Sequence, residues 1–211
     1  MVMGTHPAEG SRNFSSQDES DAAGNSIASQ AGAADMVPMR DISSFEELVE
    51  PLILRHRRYT FQAARITTIE EIEQGPVLLI GGLDNPWTLR LTRKLPYTLE
   101  SDANHTGWIF NHQHKDVRWG FNPFVEPARE ARDYAIVAGF FDTDIQQHVV
   151  IVAGIGKNGT AAAAEFLSQN TYFANWLAHI DSRRKNFEVV LATDLLNGDP
   201  SPPQVLQSLT W

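Results

Sequence analysis

Val149-Val150-Ile151-Val152-Ala153-Gly154-Ile155-Gly156-Lys157-Asn158-Gly159-Thr160 reads as a buried strand, a glycine-rich turn and the start of a helix. The apolar run is unbroken, as in a strand covered on both faces. Ala161 to Leu167 follow with small side chains that let a helix lie close against a sheet. A related turn occurs earlier, in Val77-Leu78-Leu79-Ile80-Gly81-Gly82-Leu83-Asp84-Asn85-Pro86-Trp87. There Asn85 is a favoured N-cap and Pro86 occupies the favoured first helical position. Two strand–glycine–helix units predict an α/β fold.

Working outward, Asp133 to Phe141 and His148 to Ala153 are two apolar strands joined by a short polar link. They predict an antiparallel hairpin that feeds the glycine turn. Phe173, Trp176, Leu177 and Ile180 mark a second helix after the alanine-rich one. Phe187 to Leu196 and Val205 to Trp211 predict a wide hairpin closing one sheet edge, with prolines at its tip that discourage aggregation. Towards the N-terminus, Ser43 and Ser44 precede Glu46 and Glu47 by three residues, a capping-box pattern for a helix over Phe45 to Leu52 that Pro51 should kink or shorten. Arg55-His56-Arg57-Arg58 suit the solvated end of that helix. Tyr59 to Ile66 suits a strand, and Thr67-Thr68 with Glu70-Glu71 caps a short helical turn. Short strands are expected at Tyr97 to Leu99, Trp108 to Phe110 and Val117 to Phe121. The expected architecture is a Rossmann-like, three-layer α/β domain whose mixed sheet includes antiparallel hairpins.

Residues 1–40 are rich in Ser, Gly, Ala, Asp and Asn and carry few large apolar side chains. They cannot bury enough surface to offset their ordering entropy, so a disordered tail is expected there and one α/β domain over residues 41–211. The chain has 211 residues, 42% of them apolar, and a net charge of −9. An acidic chain is a poor partner for phosphate backbones and anionic membranes, so direct nucleic-acid contact and membrane binding are not expected. With no Cys, disulfides, thiolate catalysis and Cys-ligated zinc are excluded. No apolar run approaches the roughly 18 residues of a membrane span, and no signal-peptide stretch opens the chain. A cytoplasmic location is the expectation. Nothing in the sequence argues against a homo-oligomer.

A helix N-terminus offers unsatisfied backbone N–H groups and a partial positive charge, and glycine lets a ligand approach the backbone closely. Gly154, Gly156 and Gly159 match the dinucleotide pattern G-x-G-x-x-G between a strand and a helix. No acidic residue ends a second strand about 20 positions on, and Asp194 is too far away. The segment also lacks a phosphate-binding Lys before Thr160, with Lys157 inside the loop instead, so it fails as a nucleotide-triphosphate loop. In open α/β sheets ligands bind beyond the carboxyl ends of strands. If the two strands are parallel neighbours, Gly81, Gly82, Asp84, Asn85, Trp87, Thr88, Arg90, Gly154, Gly156, Gly159 and Thr160 converge on one crevice suited to a small, anionic metabolite. Trp87 could stack on that ligand or belong to the core, and Arg90 could pair with an anion or face solvent. The plainer reading is that the glycines make tight turns and let a helix pack on the sheet.

His112 and His114 alternate and would share a face of a strand, but no third ligand has a fixed spacing and no metal site is expected. There is no G-x-S-x-G elbow and no H-E-x-x-H. Asp84, Asp133 and Asp194 stand at strand ends, where acids commonly serve as caps. Nothing singles out a general base, and the sequence identifies no particular cofactor, which stays unknown. Binding without turnover is therefore the leading expectation. The alternatives are a transferase or hydrolase acting on a nucleotide or sugar-phosphate in the same crevice, and a protein-interaction module.

The motifs Gly81-Gly82-x-Asp84-Asn85-Pro86-Trp87-Thr88, Asp133-Tyr134-Ala135-Ile136 and Ala153-Gly154-x-Gly156-x-x-Gly159-Thr160, with Trp211, resemble those of an uncharacterised bacterial α/β domain. The resemblance covers roughly residues 45–211. Some relatives in that group carry the domain C-terminal to DNA-binding or signalling segments, which implies a sensor-like role and supplies no ligand.

Overall fold

The computed structural model describes residues 2–3, 39–104, 106–121, 132–181 and 183–211. Its principal sheet is mixed. The sheet's centre is β3 (Val77–Ile80) beside β8 (Gln147–Gly154), parallel and in register from Val77↔Val149 to Ile80↔Val152. Antiparallel to β8 lies β7 (Arg132–Asp142), and antiparallel to β7 lies β9 (Phe187–Leu196). The outer edge of β9 is covered by β10 (Asp199–Pro200) and β11 (Gln204–Thr210). The β7–β8 hairpin and the C-terminal hairpin thus form where alternating and continuous apolar runs predict them.

The other edge of the sheet differs from the expectation. Beside β3 lies β1 (Val2–Met3), parallel to it and to β2 (Gln62–Ala63). Val2 is buried, and its carbonyl accepts from Asn85 Nδ2 at 3.4 Å. Two residues of the N-terminal stretch, for which disorder is expected, therefore complete the sheet. Without them the outer backbone groups of the buried β3 would lack partners. The expected disorder of residues 4–38 lies outside the described residues. The strand expected over Tyr59 to Ile66 shrinks to β2 alone.

Each strand alternates its side chains between two faces. On one face Ile136, Ala138, Val149, Ile151 and Val190 meet Ile72 of α2 (Ile69–Ile72) and Trp87 and Leu91 of α3 (Pro86–Leu91). A single 3₁₀ turn, Thr92–Lys94, leads from α3 into a small antiparallel sheet that packs on this face too. Its strands are β4 (Tyr97–Ser101), β5 (Gly107–Asn111) and β6 (Arg118–Phe121). On the opposite face Ala135, Val137, Val152, Val189 and Leu191 pack against Ala163, Ala164 and Phe166 of α4 (Lys157–Ser168). Leu48 of α1 (Met39–Leu54) and Phe173 and Trp176 of α5 (Phe173–Leu177) join that cluster. Phe173 and Trp176 stack at 5.7 Å between ring centroids.

Helix starts follow local chemistry in two places. Thr68 and Glu71 close the capping box of α2. Asn85 accepts from the N–H groups of Trp87 and Thr88 to cap α3. The first helix departs from expectation: α1 begins at Met39, so Ser44 lies inside it and donates to the Arg40 carbonyl at 3.0 Å instead of capping. Pro51 lies within α1, which ends three residues later. No helix among the described residues is long and apolar enough to cross a membrane.

Candidate functional site

The two glycine turns lie side by side, at the carboxyl ends of adjacent parallel strands. A Cβ on Gly82 would stand 2.0 Å from the Gly154 carbonyl oxygen, so the turns touch through backbone. Gly81, at φ 101, adopts a left-handed conformation and donates to the Val152 carbonyl at 3.0 Å. Close approach explains the second motif as well. A Cβ on Gly159 would come within 2.5 Å of the Tyr134 carbonyl oxygen, and one on Gly154 within 2.2 Å of the Thr160 nitrogen.

Most polar groups at this rim are bonded within the chain. Asn85, fully buried, donates to Ile80 and Val2 while capping α3. Thr88 donates its hydroxyl to the Gly81 carbonyl at 2.8 Å. Thr160 accepts from the Gly154 N–H at 3.1 Å and donates to the Gly156 carbonyl. Trp87 belongs to the core, its indole N–H on the Thr67 carbonyl, and Arg90 lies over the Trp87 ring at 5.1 Å.

The anion expected at the N-terminus of α4 is part of the chain itself. The Asp133 carboxylate accepts from Gly159 N–H at 2.7 Å, Gly156 N–H at 3.1 Å and Tyr134 N–H at 2.7 Å. Burial pushes its pKa up to about 6, against the pull of these N–H groups and that of Asn158. Asn158 Oδ1 is buried with no hydrogen-bond partner. The rim is acidic: burial and the neighbouring Asp84 carboxylate push Asp41, in the first turn of α1, up to about 7.

A cleft lies away from the glycine turns. With a volume of about 450 Å³, it opens at the opposite rim between the α3–β4 connection, the β7–β8 turn and the end of β11. Leu91, Leu95, Pro96, Phe140, Leu209 and Trp211 give it apolar walls, and Lys94, Gln113, Asp142 and Thr143 bring polar groups to it. Asp142 Oδ1 accepts from the N–H groups of Asp144 and Ile145, which fixes its carboxylate at the cleft wall. Lys94 Nζ reaches Asp144 Oδ2 at 2.5 Å.

Beneath this cleft lies Glu188, which is fully buried. It pairs across the ladders with Leu209 and Ala138, so Leu209 and Phe140 are its neighbours on this face. Its Oε2 accepts from the Tyr97 N–H at 3.0 Å, while Oε1 has no hydrogen-bond partner. Burial pushes its pKa up to about 8. Sequence reasoning missed Glu188. The available signal was a lone acid inside the apolar run Phe187 to Ala192.

A second groove, of about 580 Å³, runs between α1 and α4 and is lined mainly by polar side chains, among them Arg40, Glu47 and Glu165. Arg40 there is held by Asp199 at 2.9 Å. His112 turns its ring onto the Thr98 hydroxyl at 3.0 Å, and His114 is exposed.

No protein-family model matches the chain, and no curated protein or solved structure matches it either.

Proposed function

We propose that the chain is a small-molecule-binding, sensor-like domain of Rossmann-like, three-layer build, with its ligand in the cleft formed by Lys94, Leu95, Phe140, Asp142, Leu209 and Trp211. The cleft carries this reading. Its volume falls in the range of about 300–1,000 Å³ common to small-ligand sites, and apolar walls with a few fixed polar groups are the usual lining. A buried acid with a spare oxygen directly beneath adds a perturbed group of the kind that collects at functional sites. The rim of the glycine turns, where the sequence suggests an anionic metabolite, suits a ligand less well. Its backbone donors are taken by Asp133, and Asp41 and Asp84 would repel an anion.

Thermal unfolding of the full chain against anionic, neutral and cationic small molecules tests the reading. A ligand at ten times its Kd stabilises by about 1.4 kcal/mol, or roughly 3–6 °C for a chain of this size. The cleft-filling variant Leu209→Trp, checked by circular dichroism for its fold, is expected to lose that response. A ligand that stabilises both proteins equally would overturn the cleft assignment.

A second reading, an interaction module, is favoured by the exposed apolar side chains Ile53 and Leu54 at the end of α1 and Tyr59, Phe61 and Ile66 flanking β2 in sequence. A dimer dispersed by Leu54→Lys and Ile66→Lys, with no small-molecule response, would favour it.

A further inference from the structure

Resting on that reading of the cleft, we infer that its ligand is an organic cation, an ammonium group carried on an apolar, aromatic-sized body, with Asp142 as the direct partner of the charge. The argument starts from the charges that face the cleft. Lys94 and Asp142 line it. Lys94 is drawn out to Asp144, and both of those side chains are largely exposed, so their pair is close to neutral and screened. Asp142 is different. It is buried, it has no Lys or Arg partner within ion-pair range among the described residues, and two backbone N–H groups hold Oδ1. Lys94 feels its charge only beyond ion-pair range, and the Asp142 side chain lines the cleft, where it can accept a donor.

The layer below adds a carboxyl that burial keeps largely protonated near neutral pH. Glu188 is buried with Oε1 unpartnered, and the titratable group packed nearest to it is Tyr97, which lends a backbone N–H to the other oxygen. An anion placed in the cleft would face the Asp142 carboxylate, which lines it. A cation would instead pair with Asp142. The apolar part of the ligand has Phe140, Phe141 and Trp211 around it, and aromatic faces attract ammonium groups. This reverses the sign of ligand expected from the glycine turns.

The probes are 2-phenylethylamine, its near-isostere 2-phenylethanol and phenylacetate, titrated calorimetrically into the full chain, Asp142→Asn, Glu188→Gln and Leu209→Trp. Asn at position 142 keeps the oxygen that accepts the two N–H groups and removes only the charge. The amine is expected to bind at least tenfold tighter than the alcohol, and the acid not to bind. Asp142→Asn is expected to weaken the amine about ten- to a hundredfold, as for a lost charge-assisted hydrogen bond, and to leave the alcohol unchanged. If that variant fails to fold, salt decides in the wild type: the amine's affinity should fall with ionic strength while the alcohol's does not. Glu188→Gln is expected to weaken the amine less than Asp142→Asn. Tight binding of the acid or alcohol that Leu209→Trp abolishes would overturn the cationic class and leave the cleft standing. Amine binding that Leu209→Trp leaves intact would overturn the cleft itself, and no binding of any probe at millimolar concentration would overturn both.

Discussion

Asp133 gives the first turn of α4 what an anionic ligand gives comparable turns in other proteins. Its carboxylate meets the N–H groups of Gly156, Asn158 and Gly159 and that of Tyr134, so the helix dipole is answered from inside the chain. Removing the side chain leaves those donors buried without an acceptor. Asp133→Ala is therefore expected to cost about 2–4 kcal/mol, and Asp133→Asn, which keeps one acceptor oxygen, about half of that. Urea unfolding measures both. Millimolar phosphate should restore stability to Asp133→Ala well beyond its effect on the wild type, because the vacated turn is then an anion site. Equal stability of the three proteins would show that the carboxylate is not the cap. The sequence displayed Asp133 as a strand-end acid, but its partners lie 23 and 26 residues on. Only the pairing of β7 with β8 brings them together, so the role was not legible from local pattern. Glu188 was closer to legible: an acid has no ordinary reason to interrupt a buried apolar strand.

At the scale of elements, the contact between the two glycine turns fixes how closely β3 and β8 can end together. Ala at position 82 would push a methyl carbon against the Gly154 carbonyl oxygen, where only backbone could yield. Gly82→Ala is expected to destabilise by about 2–3 kcal/mol or more, as overpacking against rigid atoms does. Gly75→Ala supplies the contrast, since its Cβ would meet nothing within 4 Å, and it should be neutral or stabilising by up to ~1 kcal/mol. A thermal melt of the two variants decides; a similar Tm for both would mean the turns do not touch. These elements were readable because each carries its own signal: unbroken apolar runs for β3 and β8, a short polar link for the hairpin, Asn85-Pro86 for the start of α3. The first strand had none. Val2–Met3 is too short for periodicity, and it is specified by the empty edge of β3, some 75 residues away in sequence. The small β4–β5–β6 sheet was visible as strands but not as a separate layer, because strand signals do not state their partners.

For the whole molecule, three buried acids point the pH dependence of stability in one direction. Burial raises Asp133 to about 6, Asp41 to about 7 with help from Asp84, and Glu188 to about 8. A carboxyl whose folded pKa is raised binds its proton more tightly in the folded state. Its contribution is fully present below the unfolded value near 4 and is lost as pH rises through the folded pKa. Glu71, Asp181 and Asp194 are lowered by hydrogen bonds, those of the last two to arginine, and act oppositely, but they are exposed and matter only towards pH 4 and below. The net charge of −9 adds self-repulsion as the remaining acids ionise. Stability should therefore peak near pH 5 and decline to pH 8.5, with urea midpoints falling throughout. Glu188→Gln should flatten the decline from about pH 4.5 up to 8, and Asp41→Asn the part from about pH 4 up to 7. At pH 8.5 Glu188→Gln should be more stable than the wild type, because an amide stays neutral where the carboxyl must ionise in an apolar setting. A wild-type maximum at pH 7–8, unchanged by either substitution, would mean that water reaches these carboxyls and that the layer beneath the cleft is not closed.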